Sequence, residues 1–472
     1  MPTYLRYFDT TWSRLMQKQE RFLLQGQGER SMLTTWKLSY DQVLRQSEAA
    51  AWLLRLWAFF HHDDFWHGLL VMRDGNAPAN EEVGGFELPK WLAELATSEL
   101  EFSSAMGLLR AYSLADSQGV GSYTMHSVLH QWSRSLSSEV EAASLISISV
   151  CMLASATPLG NYDECWELDR RLLQHVLHAS NELNPTQTLD QQDVPPRATL
   201  LLGNLLLRLG KANQAGHMYR HALAGCEKVY GTNHEWTLAI INNLGMVYKG
   251  QGKLDEAKQT YQRALANEET TLGPNHRLTL ETVNNLGGLC IEQKKLEEAE
   301  KMLQRALAGR EEILGPNHRS TLQTLNDLGI LYAQQGKSDE AEQMFQRTLA
   351  GREEALGSNH PSTLDTIKNL GKLYREEGRL EEAENLLLRA LAGRRKLFGR
   401  ETSTPPLLTT VYVLGELYHK HRRLEKAEQM FERALIGRQQ IFGRSHQWTK
   451  QVSESLTFVR SEIGKFFHPA SA

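Results

Sequence analysis

A period of 42 residues governs the C-terminal half of this chain. The pair Leu-Gly recurs at Leu202-Gly203, Leu244-Gly245, Leu286-Gly287, Leu328-Gly329 and Leu370-Gly371, and once more after a step of 44 at Leu414-Gly415. The two extra residues of that last step fall in the Thr/Pro-rich stretch Glu401 to Pro406. A Gly-x-x-His-x-x-Thr block keeps the same phase at Gly231-His234-Thr237, Gly273-His276-Thr279, Gly315-His318-Thr321 and Gly357-His360-Thr363, and closes at Gly443-His446-Thr449. Several columns repeating together specify a unit that buries its apolar face only by stacking on its neighbours.

Each unit decodes as two helices. Leu238, Ile241, Leu244, Val247 and Tyr248 fall at helical spacing and give helix A one apolar stripe. Gly250-Gln-Gly252-Lys breaks that helix, and helix B runs from about Leu254 towards Leu272. Gly273 suits a left-handed C-cap, and Pro274 ends the helix. The composition agrees: Leu and Ala dominate while aromatics reach only 8%, a mix that favours helix over sheet. The expected fold class is mainly all-α, a small N-terminal domain followed by an α-solenoid.

The pattern Leu-Gly-x-x-Tyr followed by Ala, aromatic and Ala is carried by Leu244, Gly245, Tyr248, Ala257, Tyr261 and Ala264, and again by Leu370, Gly371, Tyr374, Ala383, Leu387 and Ala390. It resembles the tetratricopeptide repeat. The long period, with Asn-Asn-Leu-Gly and Leu-Gly-Pro-Asn-His, looks like the repeats of kinesin light chains. The resemblance implies about six units and a groove lined by the A helices that holds an extended peptide. In the family an Asn just before Leu-Gly clamps the peptide backbone, because a carboxamide both donates and accepts. The matching positions are Asn243, Asn285 and Asn369, with departures at Asp327 and Val413. Lys368, Lys372 and Arg375 are expected on or near the same face, where they would attract an acidic peptide; the plain alternative is an ordinary solvated face. A metal reading of the recurring histidines fails because neighbouring helices pack about 8–10 Å apart, far beyond a ligand bite. Capping and packing at the start of each helix A explain them better.

Residues 1 to about 140 have another texture, rich in tryptophan and not periodic. Three helices, a turn at Gly119 to Gly121 and a short hairpin describe a winged helix. The phrases Thr35-Trp36-x-x-Ser39, Ala51-x-Leu53-Leu54 and Tyr123-x-Met125-His126 resemble the winged-helix part of the NB-ARC module in STAND-type signalling ATPases, especially fungal NOD-like proteins with tetratricopeptide sensors. That resemblance implies that His126 is a remnant of a nucleotide-phosphate sensor, although Ser127 replaces the Asp of the family's Met-His-Asp motif. The domain reading is a winged-helix-like remnant at 1–138, a helical connector and polar loop at 139–196, a solenoid at 197–462 and a tail at 463–472.

The chemistry that such a module needs is missing from the sequence. A phosphate loop requires Gly-x-x-x-x-Gly-Lys-Ser/Thr. The one Gly-Lys-Ser, Gly336-Lys337-Ser338, has Leu331 in place of the first Gly and sits in the inter-helix turn of a repeat. Trp57 to Asp64 imitates a Walker B end but reads better as a helix C-terminus. His126 and His130 lie four apart without a third ligand, so core or surface histidines are expected there, and no catalytic constellation stands out. The net charge of −4 gives no field for nucleic acid. Four scattered cysteines, Cys151, Cys165, Cys226 and Cys290, form neither a disulfide framework nor a metal motif. The N-terminus has no apolar core of a signal peptide, and Ala142 to Leu159 reads as a buried helix. The expectation is a cytoplasmic, non-catalytic scaffold with no cofactor and no membrane partner. It would bind a protein or peptide and work with a nucleotide-binding lobe in trans, as the sensor half of a STAND-type protein. The alternatives are a kinesin-light-chain-like cargo adaptor and, more remotely, a nucleotide-binding enzyme.

Overall fold

The computed structural model describes residues 32–71, 88–158, 162–183, 194–398 and 404–467. The stretch around Gly75 to Gly85, most of Asn181 to Pro196, part of Glu401 to Pro406 and residues 468–472 lie outside them, while 463–467, read as tail, belong to the last helix. The chain forms two units, one within Met1–Thr157 and Arg171–Ala198, the other within Pro158–Arg170 and Thr199–Ala472.

Among the described residues of the first unit, α1 (Met32–Gln46) and α2 (Glu48–Trp57) are followed by the short strand β1 (Phe65–Trp66). Next come α3 (Lys90–Thr97), α4 (Glu99–Ala111), β2 (Asp116–Gly119), β3 (Ser122–Thr124), α5 (Ser127–Ser135) and α6 (Glu139–Ala156). The three strands form an antiparallel sheet in the order β1-β3-β2, with Phe65 opposite Tyr123 and Asp116 opposite Thr124. Stacked Trp57 and Phe65, 4.7 Å apart, anchor its core. A capping box between Ser138 and Glu141 starts α6. That helix is long and apolar enough to cross a membrane, but 67% of it is buried inside the structure.

Two buried histidines close the same core. His175, on α7 (Tyr162–Glu182), accepts from the His61 backbone N–H through Nδ1 at 3.1 Å. Its proton therefore sits on Nε2, which donates to the Asp64 carbonyl at 3.0 Å. His130 Nε2 donates to the Phe60 carbonyl at 2.9 Å. Burial above all pushes His130 down to about 4 and His175 down to about 3. The Trp57 to Asp64 stretch is thus a helix end whose backbone is held by imidazoles, and β1 follows it.

The second unit is a stack of helix pairs. The pairs are α8 (Pro196–Arg208) with α9 (Ala212–Tyr230), α10 (Glu235–Gly250) with α11 (Leu254–Thr271), and α12 (Arg277–Glu292) with α13 (Leu296–Leu314). They continue as α14 (Arg319–Gln334) with α15 (Ser338–Leu356), α16 (Pro361–Glu377) with α17 (Leu380–Phe398), and α18 (Pro405–Lys420) with α19 (Leu424–Phe442). A final helix, α20 (Gln447–Phe467), covers the last pair. Even-numbered helices from α8 to α18 are the A helices of the pairs.

The Gly-x-x-His-x-x-Thr block is a connector whose Thr and His side chains hydrogen-bond to the backbone on either side of it. In four of the five blocks the Thr hydroxyl donates to the carbonyl of the Gly six residues earlier, at 2.8–2.9 Å. Each His Nδ1 accepts from the backbone N–H two residues on, at 3.1–3.3 Å, and so caps the next A helix. One expectation needs correction. Gly273 has the positive φ expected, 94°, but at the equivalent Gly315 and Gly357 positive φ goes with ψ near 165° and 161°, an extended glycine-only conformation instead of a left-handed helical cap. The left-handed cap lies inside a pair, at Gly378 with φ 84° and ψ 6°. Gly336-Lys337-Ser338 is likewise such a turn, with Gly336 at φ +76°.

Candidate peptide-binding groove

Successive A helices pack directly on one another, α10 on α12, α12 on α14, α14 on α16 and α16 on α18, which places them on the inner side of the stack. Two columns of side chains fix their spacing. One is the Asn pair. Asn285 Nδ2 donates to Asn242 Oδ1 of the preceding repeat, and Asn369 Nδ2 to Asn326 Oδ1, both at 3.2 Å. Asn243 Nδ2 reaches Asn204 Oδ1 at 3.3 Å. The donors expected to clamp a peptide are therefore directed at the neighbouring repeat, and the half-buried Oδ1 atoms are what these residues offer a ligand. Asp327 does not interrupt this ladder. It accepts from Asn284 Nδ2 at 3.0 Å and from Gln323 Nε2 at 2.9 Å. Val413 is buried at 1% exposure and supplies no rung.

The second column is arginine. Arg310, Arg352, Arg394 and Arg438 are buried at equivalent positions on the B helices. Arg310 Nη1 donates to the Ser320 carbonyl at 2.9 Å and to Thr324 Oγ1 at 2.8 Å. Arg352 Nη1 repeats this with Ser362 and Thr366, both at 2.8 Å. Arg310, Arg352 and Arg438, the last by donating to the Trp448 carbonyl at 2.9 Å, thus fasten the start of the next helix, whereas Arg394 pairs with Asp365 of its own pair. In the second pair of the series the position holds Glu268, fully buried, whose Oε1 accepts from Thr282 Oγ1 at 3.1 Å while Oε2 has no partner among the described residues. Burial raises Glu268 to about 7. A raised carboxyl stabilises in its protonated form, so this contribution is full below pH 4.5 and is lost as pH rises through about 7. Glu268→Gln is expected to raise the melting temperature at pH 8 and leave it unchanged at pH 5. An equal shift at both pH values in thermal melts would refute this account.

The charges of the groove sort into paired and unpaired. Asp365 takes Lys368 at 2.8 Å and Arg394 at 2.7 Å, which hold its carboxyl below the ordinary range. Arg375 pairs with Glu416. Lys372 is half-buried between them and makes no ion pair or hydrogen bond among the described residues. Burial, reinforced by Lys368, lowers its pKa. Towards the C-terminal end the groove opens into a cavity of about 910 Å³ bordered by Arg375, Glu416, His419 and Phe458, with Phe458 56% exposed. The structure thus brings Lys368, Asn369, Lys372 and Arg375 together on α16, with Asn243 and Asn285 one rung apart on α10 and α12. His126 belongs to the first unit, where its Nδ1 caps α5 by accepting from Val128 N–H at 3.3 Å. His130 is buried by contrast, so the two histidines share no site.

His61, His62 and Asp63 bring three donor atoms within 4.8 Å. Two of these residues already serve the loop, since His61 Nδ1 accepts from Asp63 N–H and Asp63 Oδ1 from the Thr124 hydroxyl. Cys151 and Cys226 are buried thiols whose pKa burial raises, to about 12 and about 11. Neither has the depressed pKa of a nucleophile.

Stacked antiparallel helix pairs with a continuous inner groove define an α-solenoid of the kind that serves as a protein-interaction scaffold. Family models of the tetratricopeptide repeat match residues 196–270, 241–312, 278–354 and 339–396, and a second model of that repeat matches 407–447. Together they span just over half of the chain, which belongs to the tetratricopeptide-repeat family. Among solved structures, BtubC (BKLC) from P. vanneervenii is similar at 23% identity and TM-score 0.39, over 56% of this chain and 95% of that one. A putative kinesin light chain from Podosopora anserina, with nearly identical TPR-like repeats, is similar at 24% identity and TM-score 0.35, over 44% and 97%. A Rap protein complexed with competence and sporulation factor gives 14% identity and TM-score 0.44, over 77% and 94%. These likenesses concern the fold alone. No curated protein matches the chain.

Proposed function

We propose that the A-helix groove binds an extended peptide bearing acidic residues, and that the chain is the sensor half of a cytoplasmic STAND-type signalling protein. Lys372 carries the reading. A cation held half-buried without a partner loses hydration that a peptide carboxylate would replace. The carboxamide oxygens of Asn243, Asn285 and Asn369 would take backbone N–H groups along the same line, and the cavity beside Phe458 would take an apolar side chain. The winged-helix reading of the first unit is supported by its β1-β3-β2 sheet, with helices before it and a hairpin at Asp116 to Thr124. Exposed His126 is then the group that a nucleotide-binding lobe would meet in trans. The 42-residue period keeps a kinesin-light-chain-like adaptor as the second reading.

Selection of peptides from a library on the full chain is expected to enrich acidic sequences. Lys372→Glu, which removes no hydrogen bond or ion pair among the described residues, should weaken the selected peptide at least tenfold. Binding unchanged in that variant would sink the groove assignment.

A further inference from the structure

The outer side of the stack carries a third column, between successive B helices. Arg263 pairs with Glu227 at 3.9 Å, Arg305 with Glu269 at 2.7 Å, Arg347 with Glu311 at 2.5 Å, and Arg389 with Glu353. At the fifth joint the register predicts Arg433 against position 395, where the sequence has arginine instead of glutamate. By register Arg395 therefore stands beside Arg433 at the position where four joints hold a glutamate. The positive charge of Arg395, after burial, lowers the pKa of Arg433. The Arg395 Nε atom is buried and has no hydrogen-bond partner among the described residues. The nearest carboxylate along the helix, Glu432, is committed to Arg460. A surface cavity of about 370 Å³ lies alongside Arg433, bordered also by Gln429, Glu432, Ile436 and Gly437.

Two half-buried guanidinium groups with no ion pair among the described residues repel each other in a medium of reduced dielectric. A doubly charged oxyanion cancels that repulsion and accepts from both planar forks, a geometry that suits phosphate. We propose that Arg395 and Arg433 form a phosphate-binding site on the B-helix side of the solenoid, filled by a phosphoryl group. The site is independent of the groove, because Lys372 lies on an A helix and shares no contact with this pair.

The experiment titrates the full chain with inorganic phosphate, and separately with a phosphoserine peptide, at constant ionic strength, following thermal unfolding and calorimetric heat. The wild-type chain should show saturable stabilisation. Arg395→Glu restores the glutamate of the other joints. It should weaken phosphate binding at least tenfold and melt higher than wild type in chloride. Tighter binding of the phosphopeptide than of free phosphate identifies a protein segment as the natural ligand, while equal or weaker binding identifies a small anion. Absence of saturable stabilisation in the wild-type chain, or an unaltered phosphate response in Arg395→Glu, overturns the proposal.

Discussion

Gly245→Val should destabilise the solenoid by about 3 kcal/mol or more, enough to melt the repeats around it at ordinary temperature. A Cβ at Gly245 would stand 2.4 Å from Tyr261 Cε1 and 2.6 Å from its Cδ1, well inside van der Waals contact. Tyr261 is fully buried between α11 and the A helices and has no space to retreat. The same glycine meets an aromatic ring at Gly203, Gly329 and Gly415, so the requirement is built into the repeat. A contrasting glycine supplies the control. Gly107 on α4 has nothing within 4 Å of its would-be Cβ. Gly107→Ala should therefore stabilise by up to about 1 kcal/mol through helix propensity alone. Chemical denaturation of both variants checks the pair of signs. A valine tolerated at position 245 would mean that the two helices do not approach as described.

Mild acid should unfold the first unit while the repeats persist. His130 and His175 are neutral in the folded core at about 4 and about 3, against 6.5 for an exposed imidazole. Below 6.5 the unfolded chain binds protons that the folded one does not, so stability falls with pH until the folded values are reached. At pH 4.5 the two groups together remove on the order of 5 kcal/mol, a large share of a domain's total. Asp63 and Asp64, held low by the hydrogen bonds of Thr124 and Arg171, withdraw their support only at still lower pH. Glu268 acts in the opposite sense and favours the repeats as pH falls from 7. Six tryptophans from Trp36 to Trp132 report on the first unit, and far-ultraviolet circular dichroism reports mainly on the repeats. The fluorescence transition is expected between pH 6.5 and 4 with most helicity retained. An unchanged fluorescence at pH 4, or simultaneous loss of both signals, would contradict the assignment of buried neutral imidazoles.

The repeat was legible because its signals are local. Leu-Gly, the Gly-x-x-His-x-x-Thr connector and the apolar stripe of each A helix are set by short-range geometry, and the structure assigns each a cap, a turn or a contact. What escaped notice crosses between repeats. Asn242 and Asn284 look like duplicates of the Asn that follows each, and Asn326 precedes Asp327, yet all three are the buried halves of the ladder. The arginine column was written plainly in Ala-Gly-Arg at Ala308, Ala350 and Ala392, but a buried arginine is read as solvated until its acceptors are seen. Its glycine has an equally spatial reason: a Cβ at Gly351 would meet Leu322 Cδ2 at 2.6 Å. In the first unit, β1 is two residues long and its partner β3 lies over fifty residues away, so no periodicity announces it. His175 was hidden for the same reason, because its role depends on the backbone of His61 and Asp64.

The groove is tested most directly by amide hydrogen exchange of the full chain with and without a peptide selected on it. The account predicts slowed exchange along α12, α14, α16 and α18, strongest around Lys372, with the B helices and the first unit unchanged. Protection confined to the B helices or to the first unit would place the ligand elsewhere and contradict the central claim.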